Sequence, residues 1–382
     1  MKHAIPAQWT LLRHDKWLLS CLTWVPLLLA ASIWWIFSQG IARDLPFGVV
    51  DLSLSQLSRQ LIREVDATST LHVNKHYASV DEASEAMRSN QIYGFMVIPA
   101  QFDKTIYRQE QPQVTTFYNS QMILVGKLVN SAVVQAQGTF NAQVDVMKNL
   151  ATKNHTMLAA MGRSAPVRTQ ITPLFNQNTN YAQFLVSAIV PALWQITIVV
   201  STILILAANY RHYGLKTWLA DSPLRHLTRT LLPYLPIFML QGLGFLIWFY
   251  DVLHWPMFGH FSVLLVAQAI TVIACVIMGA FFYFLTLDPA RAMSFAGAFT
   301  APSFAFMGIT FPASDMNSLA QAWRNLLPIS HYIEVQVNQV SYGLDALASL
   351  QPLFAMIGYL IPLGLVFILL RKHLAYETGE AV

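Results

Sequence analysis

Residues 300–316 read TAPSFAFMGITFPASDM. The run is apolar enough for lipid, yet it carries Pro302, Gly308 and Pro312 and reaches Asp315 three residues after the second proline. Proline removes a backbone donor and breaks a helix. In a bilayer, freed backbone groups are tolerated only where protein or a water-filled cavity satisfies them. The stretch therefore belongs against other helices. Pro312 is expected to stop a helix near a membrane face, and Gly308 to permit close backbone approach.

The composition outside this stretch supports a membrane setting. Hydrophobic residues make up 55% of the 382, charged residues 11%, and the mean hydropathy is +0.46. Soluble domains are about a quarter charged, so this chain lacks the solvated surface to stand alone in water. The net charge of +4 could suggest nucleic acid, but membrane topology accounts for the basic residues better. Cys21 and Cys275 both lie in apolar runs and read as small hydrophobes, not as a disulfide framework.

A spanning helix needs about 20 mostly apolar residues. Six stretches qualify or nearly do: Trp17–Phe37, Phe184–Ala208, Leu231–Tyr250, Phe261–Leu285, Ala292–Pro312 and Leu350–Leu370. The first exceeds the apolar core of a cleaved signal, roughly 7–15 residues, and its tryptophans suit a retained anchor. Lys2, Arg13, Lys16, Arg211, Lys216, Arg225, Arg229, Arg291, Arg371 and Lys372 fall on one side if both termini are inside, against Arg324 in the opposite short loops. The positive-inside bias then puts both termini in the cytoplasm. The expected fold is a polytopic α-helical membrane protein of six transmembrane helices with an inserted extracytoplasmic α/β domain. Its parts are 1–16, a cytoplasmic segment; 17–38, the first span; 39–180, the external domain; and 181–382, the remaining spans. A cytoplasmic loop covers 209–230, and an outer re-entrant hairpin 313–332.

Within 39–180 the periodicity changes. FGVVD (Phe47–Asp51), LHVNKHY (Leu71–Tyr77), YGFMVIP (Tyr93–Pro99) and VTTFYN (Val114–Asn119) read as strands, with helical spacing between them and a long helix from Gln121 to about Met161. Alternation of this kind points to a small α/β domain. His72 and His76 could share a strand face, but no acidic or cysteine partner stands at ligand spacing, so they read as surface.

Several chemistries lack their residues. No phosphate-binding G-x-x-x-x-G-K-[ST] occurs, and no acid–base series runs through the spans, as a proton-coupled pump would need. Any transport must draw its energy from a partner.

Loop 209–230 offers a docking place. Leu215, Trp218 and Leu219 are apolar residues in a basic loop, and Ser222 is placed to cap a short helix that starts at Pro223. A protruding Trp there would suit a groove on another subunit; an interfacial helix held in lipid headgroups is the alternative.

The loop resembles the coupling region of type-2 ATP-binding-cassette transporter permeases. Gly214, Leu219 and Ser222-Pro223 match the pattern, while Arg211 and His212 stand where it has acidic residues and Leu215 where it has threonine. The opening stretch and its continuation resemble the family's fifth helix and outer hairpin through Gly308, Phe311-Pro312, Met316, Leu327-Pro328 and His331-Tyr332. The overall layout is similar to the subgroup with a large periplasmic domain after the first helix.

The resemblance implies the permease subunit of an ATP-driven exporter in a bacterial inner membrane, moving an apolar or amphipathic substrate outward. Lys2–Lys16 would be an elbow helix on the inner face, a plain basic tether being the alternative. Gly214, Trp218, Leu219, Ser222 and Pro223 would couple to a cytosolic ABC ATPase, which binds ATP and Mg; the chain itself would hold no cofactor. Phe304, Gly308, Phe311 and Pro312 would form a gate on the substrate path, although such phenylalanines also serve as plain packing. A second permease copy or sister permease and a periplasmic membrane-fusion adaptor would complete the assembly, with the lipid bilayer around it and no nucleic acid. Two rivals remain: a membrane receptor with an external ligand-binding domain, and a membrane-embedded acyltransferase using His331 with Glu334.

Overall fold

The computed structural model describes residues 8–38, 40–108, 110–152, 174–176, 180–219 and 222–378. The chain divides into two compact units, residues 41–172 and the rest.

The larger unit is helical. Its first part is α1 (Gln8–His14), α2 (Lys16–Leu22) and α3 (Trp24–Phe37). The Asp15 carboxylate caps α2 by accepting from the Leu18 N–H at 3.1 Å. α2 and α3 meet at a 46° bend, with Pro26 unable to donate back across the junction at Thr23.

The smaller unit carries strands β1 (Leu45–Asp51), β2 (Leu71–His76), β3 (Gly94–Ile98) and β4 (Thr115–Tyr118). They form one sheet in the order β2-β1-β3-β4, parallel except for the antiparallel β3–β4 pair. β1 is central, and its residues alternate between the faces. Phe47 and Val49 join a core with α4 (Gln56–Asp66), α6 (Phe102–Tyr107) and α7 (Ile123–Thr152). Val50 joins the other face with Phe95 and with Ala83 and Ala86 of α5 (Val80–Arg88). Being covered on both sides explains why β1 is continuously apolar. The part of the long helix expected beyond Thr152 lies outside the described residues.

The chain then enters α8 (Tyr181–Tyr213), a 33-residue helix about 50 Å long. It is buried along most of its length and is the axis of the unit. After the short α9 (Leu215–Leu219) come α10 (Pro223–Leu231) and α11 (Leu235–Ile247), which continues as a π-turn to Val252. α12 (Phe261–Thr286) packs along α8. Gly279 makes that approach possible: a methyl there would stand 2.8 Å from Thr202 Cβ and 2.9 Å from the Val199 carbonyl oxygen.

Four helices among the described residues are long and apolar enough to cross a membrane, Tyr181–Tyr213, Pro223–Val252, Phe261–Thr286 and Ala346–Tyr376, or five if the bent pair α2–α3 is one span. The expected span Ala292–Pro312 is not a single helix. It is α13 (Pro289–Thr300), then α14 (Ser303–Phe306), then a turn at Gly308, whose φ is +87°. The chain returns through α15 (Ser318–Asn325) and leaves by α16 (Pro328–Val340). α17 (Ala346–Leu350), a 3₁₀ stretch Gln351–Tyr359 and α18 (Leu360–Thr378) close the unit.

Candidate functional site

Two regions of the helical unit answer to the residues singled out from the sequence. They lie at opposite ends of α8.

At the C-terminal end of α8, contacts draw together the N-terminal helices, loop 209–230 and the last helix. Gln8 and Asn209 exchange amide hydrogen bonds at 3.1 and 3.2 Å, and the Tyr234 hydroxyl donates to the same Gln8 oxygen. The Arg211 guanidinium meets the Asp15 carboxylate at 3.1 Å, and His373 of α18 contacts the Phe284 carbonyl. The described basic side chains here are Arg13, Lys16, Arg211, Lys216, Arg225, Arg229, Arg291, Arg371 and Lys372, against the described Asp15 and Asp288. We call it the basic end.

Within the loop, Gly214 takes φ +69° and ψ 159° to end α8, a backbone conformation open essentially only to glycine. Pro223 opens α10 as expected, but the Ser222 side chain makes no capping bond. Trp218 does not protrude. It is 5% exposed, and its indole N–H donates to the Thr230 hydroxyl at 2.9 Å. Leu215 and Leu219 are fully buried beside it. The reason is geometric: α9 lies against α8, α10 and α18, so its apolar side turns inward and seals the end of the bundle. The outward surface is Lys216 and Thr217 from α9 with Leu224, Arg225 and Thr228 from α10.

The N-terminal half of α8 receives the broken segment. Gln195, fully buried, stands 14 residues into the helix, about 21 Å from its start. Its amide nitrogen donates to the Ser303 hydroxyl at 3.1 Å, and its oxygen accepts the Ile329 N–H at 2.9 Å. Ser303 opens α14 and Ile329 lies in the first turn of α16, so one side chain serves two helix starts, where N–H groups lack intrahelical partners. The turn between α15 and α16 thus lies at the depth of Gln195, well inside the bundle. The segment expected as a hairpin over 313–332 thus contains α15 and only the start of α16, which runs on to Val340. Beside this node, the Trp194 indole donates to the Phe238 carbonyl, and the Gln268 amide donates to the Tyr332 hydroxyl at 3.2 Å.

Between the first turns of α8, the turn at Gly308 and α16 is a cavity of about 560 Å³. Of the four proposed gate residues, only Gly308 lines it. Phe304 packs partly into the core, while Phe311 and Pro312 are exposed elsewhere. The cavity holds an ion pair that the sequence reading did not find. The Arg324 guanidinium meets the Glu334 carboxylate at 2.6 Å, joining α15 to α16. A polar residue inside an otherwise apolar span is the signal that could have found Gln195 and Gln268. The Arg324–Glu334 pair gives no such signal, because its ten-residue separation matches no helical repeat.

The other candidates separate. His331 contacts the Asn325 carbonyl while Glu334 is held by Arg324, so they form no acid–base pair. His72 does have an acidic neighbour, Asp66 at 3.3 Å, but both are well exposed. Among the described residues no three His, Cys, Asp or Glu side chains gather into a metal site.

The family model described as ABC-2 family transporter protein matches residues 16–370. No curated protein and no solved structure gives a match.

Proposed function

The chain belongs to the ABC-2 transporter family, and from that premise we propose that it is the permease of an exporter driven by a separate ATPase. The coarse reading is direct: it is a multi-pass helical membrane protein, the membrane subunit of an ABC transporter, and the family implies an ABC ATPase as partner. The proposal adds direction, layout and assembly.

In the proposed layout the basic end faces the cytoplasm, with both termini, in a bacterial inner membrane, as the positive-inside bias requires. Six crossings follow if α2–α3 counts as one and the broken segment α13–α14 as the fifth. The unit of residues 41–172 is then external, which fits the subgroup with a periplasmic domain and an adaptor protein. A second copy or a sister permease completes the membrane part, and the substrate is apolar or amphipathic.

The observation that carries the proposal is the outward surface of α9 and α10 at the basic end. Buried Trp218 and Leu219 anchor α9 against its neighbours, and Lys216, Thr217, Leu224 and Arg225 face outward. A helix packed on α8 and α18 is what a motor needs in order to transmit a displacement to them. The coupling role thus divides: Gly214, Trp218, Leu219 and Pro223 shape the loop, and their exposed neighbours make the contact. At the other end, the Gly308 turn over a cavity is where the path opens outward.

Single cysteines at Thr217 and Leu224 test this. In membranes containing the ATPase they should crosslink to it, and the pattern should change with nucleotide. Cysteines at Gly308 or Phe311 that never meet a paired permease, whatever the nucleotide, would count against the gate.

A further inference from the structure

The cavity at the Gly308 turn has a chemical character of its own. Arg324 and Glu334 are unequal members of their pair: the Arg324 side chain is 12% exposed and that of Glu334 42%. Arg324 lies at the back, beneath Gly308, its Nε 3.6 Å from where a methyl on that glycine would stand. Glu334 is at the front and gives one oxygen to Arg324. Around the opening are Phe175, Phe184 and Tyr342, each partly exposed, with Phe175 edge-on to Tyr342 at 5.0 Å between ring centres.

Within the helical unit, the described acidic residues at this end are Asp251, Asp315, Glu334 and Asp345, and Arg324 is its one described Lys or Arg there. The cavity also carries amides and hydroxyls, among them Asn176, Gln183 and Asn338, but its exposed charge is the Glu334 carboxylate and its exposed apolar surface is aromatic; that pairing recognises a cation carried on an apolar body. An anion would have to reach a guanidinium that is nearly buried, its Nε unpaired but closed off from solvent and one of its terminal nitrogens already held by Glu334. A cation needs only the exposed side of the carboxylate.

We propose that this cavity binds an amphipathic organic cation, with Glu334 as its counter-ion and Phe175, Phe184 and Tyr342 as its apolar walls. Arg324 keeps the carboxylate oriented and limits its attraction, so that a bound cation can leave. The proposal rests on the exporter reading for its biological meaning, since it names the substrate class, but the binding itself needs no ATPase.

The test uses radiolabelled tetraphenylphosphonium and the purified full chain in a neutral detergent, without any ATPase. The wild type should bind it saturably, and a labelled fatty-acid anion should not compete. Glu334→Gln should weaken binding at least tenfold. Arg324→Gln should hold or tighten it, because the freed carboxylate gains attraction for a cation. If Glu334→Gln does not fold, Arg324→Gln decides alone, since Glu334 is exposed enough to tolerate losing its partner. No saturable binding by the wild type, loss of binding in Arg324→Gln, or binding of the fatty-acid anion through Arg324 would each overturn the proposal. Failure here leaves ATPase capture untouched. A chain that binds the cation but captures no ATPase would instead sink the exporter reading.

Discussion

Gln195 and Ile329 lie 134 residues apart in the chain, and the buried amide oxygen of one accepts the backbone N–H of the other at 2.9 Å. That bond, with the partner bond to Ser303, explains how an apolar segment seeded with helix breakers is held inside a membrane bundle. The freed backbone donor is not left to lipid; a side chain from the central helix takes it.

Removing that side chain should therefore be costly. Gln195→Leu keeps the volume but leaves the Ile329 N–H and the Ser303 hydroxyl without this partner, a penalty of about 1–3 kcal/mol for each buried group. We expect the melting temperature of the purified chain to fall by roughly 5–10 °C. An unchanged melting temperature would mean the node does not hold the hairpin.

The loop at the basic end should split into structural and contact positions. Trp218→Ala removes a buried indole and should destabilise the chain by about 3–5 kcal/mol. Thr230→Val keeps the volume but removes the hydroxyl that accepts from Trp218 and donates to the His226 carbonyl, and should cost about 1–3 kcal/mol, chiefly for the buried indole N–H left unpaired. Lys216→Glu with Arg225→Glu touches exposed side chains and should leave the melting temperature alone while weakening ATPase capture. Differential scanning fluorimetry and pull-down separate the two classes.

Two glycines should fail for different reasons. At Gly308 a methyl finds room, its nearest neighbour being 3.6 Å away, so Gly308→Ala costs only the left-handed backbone, about 1–2 kcal/mol. At Gly279 the backbone is helical but the space is filled by Thr202 and Val199. Gly279→Ala should then cost about 1–3 kcal/mol from overpacking, and Thr202→Ser, which removes one crowding methyl, should recover part of it. A Thr202→Ser background that recovers nothing would place the crowding elsewhere.

Much of this was legible in the sequence. The strands were found because alternation and apolar runs follow from sheet geometry, and the unbroken spans because lipid demands length. Trp218 was misplaced because the apolar face of a five-residue helix can turn toward a partner or toward its own bundle, and periodicity is the same in both cases. The place of the turn before α16 is not legible locally because it is fixed by Gln195, a residue on another helix. Ser222 matched a capping pattern, yet its ψ of 78° departs from the extended backbone usual at an N-cap, and its side chain makes no capping bond.

At the junction of the first helices, Asp15 should matter more than Arg211. Arg211 is largely exposed, so Arg211→Ala loses an ion pair worth at most about 1 kcal/mol. Asp15→Ala loses the same pair and the cap on α2, about 1 kcal/mol more. Thermal melts at low and high salt should show the Arg211 effect shrinking with salt while the cap contribution persists.

The most direct test of the central claim is capture of the motor. The tagged full-length chain, purified in mild detergent from its native membrane, should bring down an ABC ATPase in stoichiometric amount, and charge reversal at Lys216 and Arg225 should release it. A chain that comes down with no ATPase, or one whose captured ATPase is indifferent to those exposed loop residues, would contradict the account.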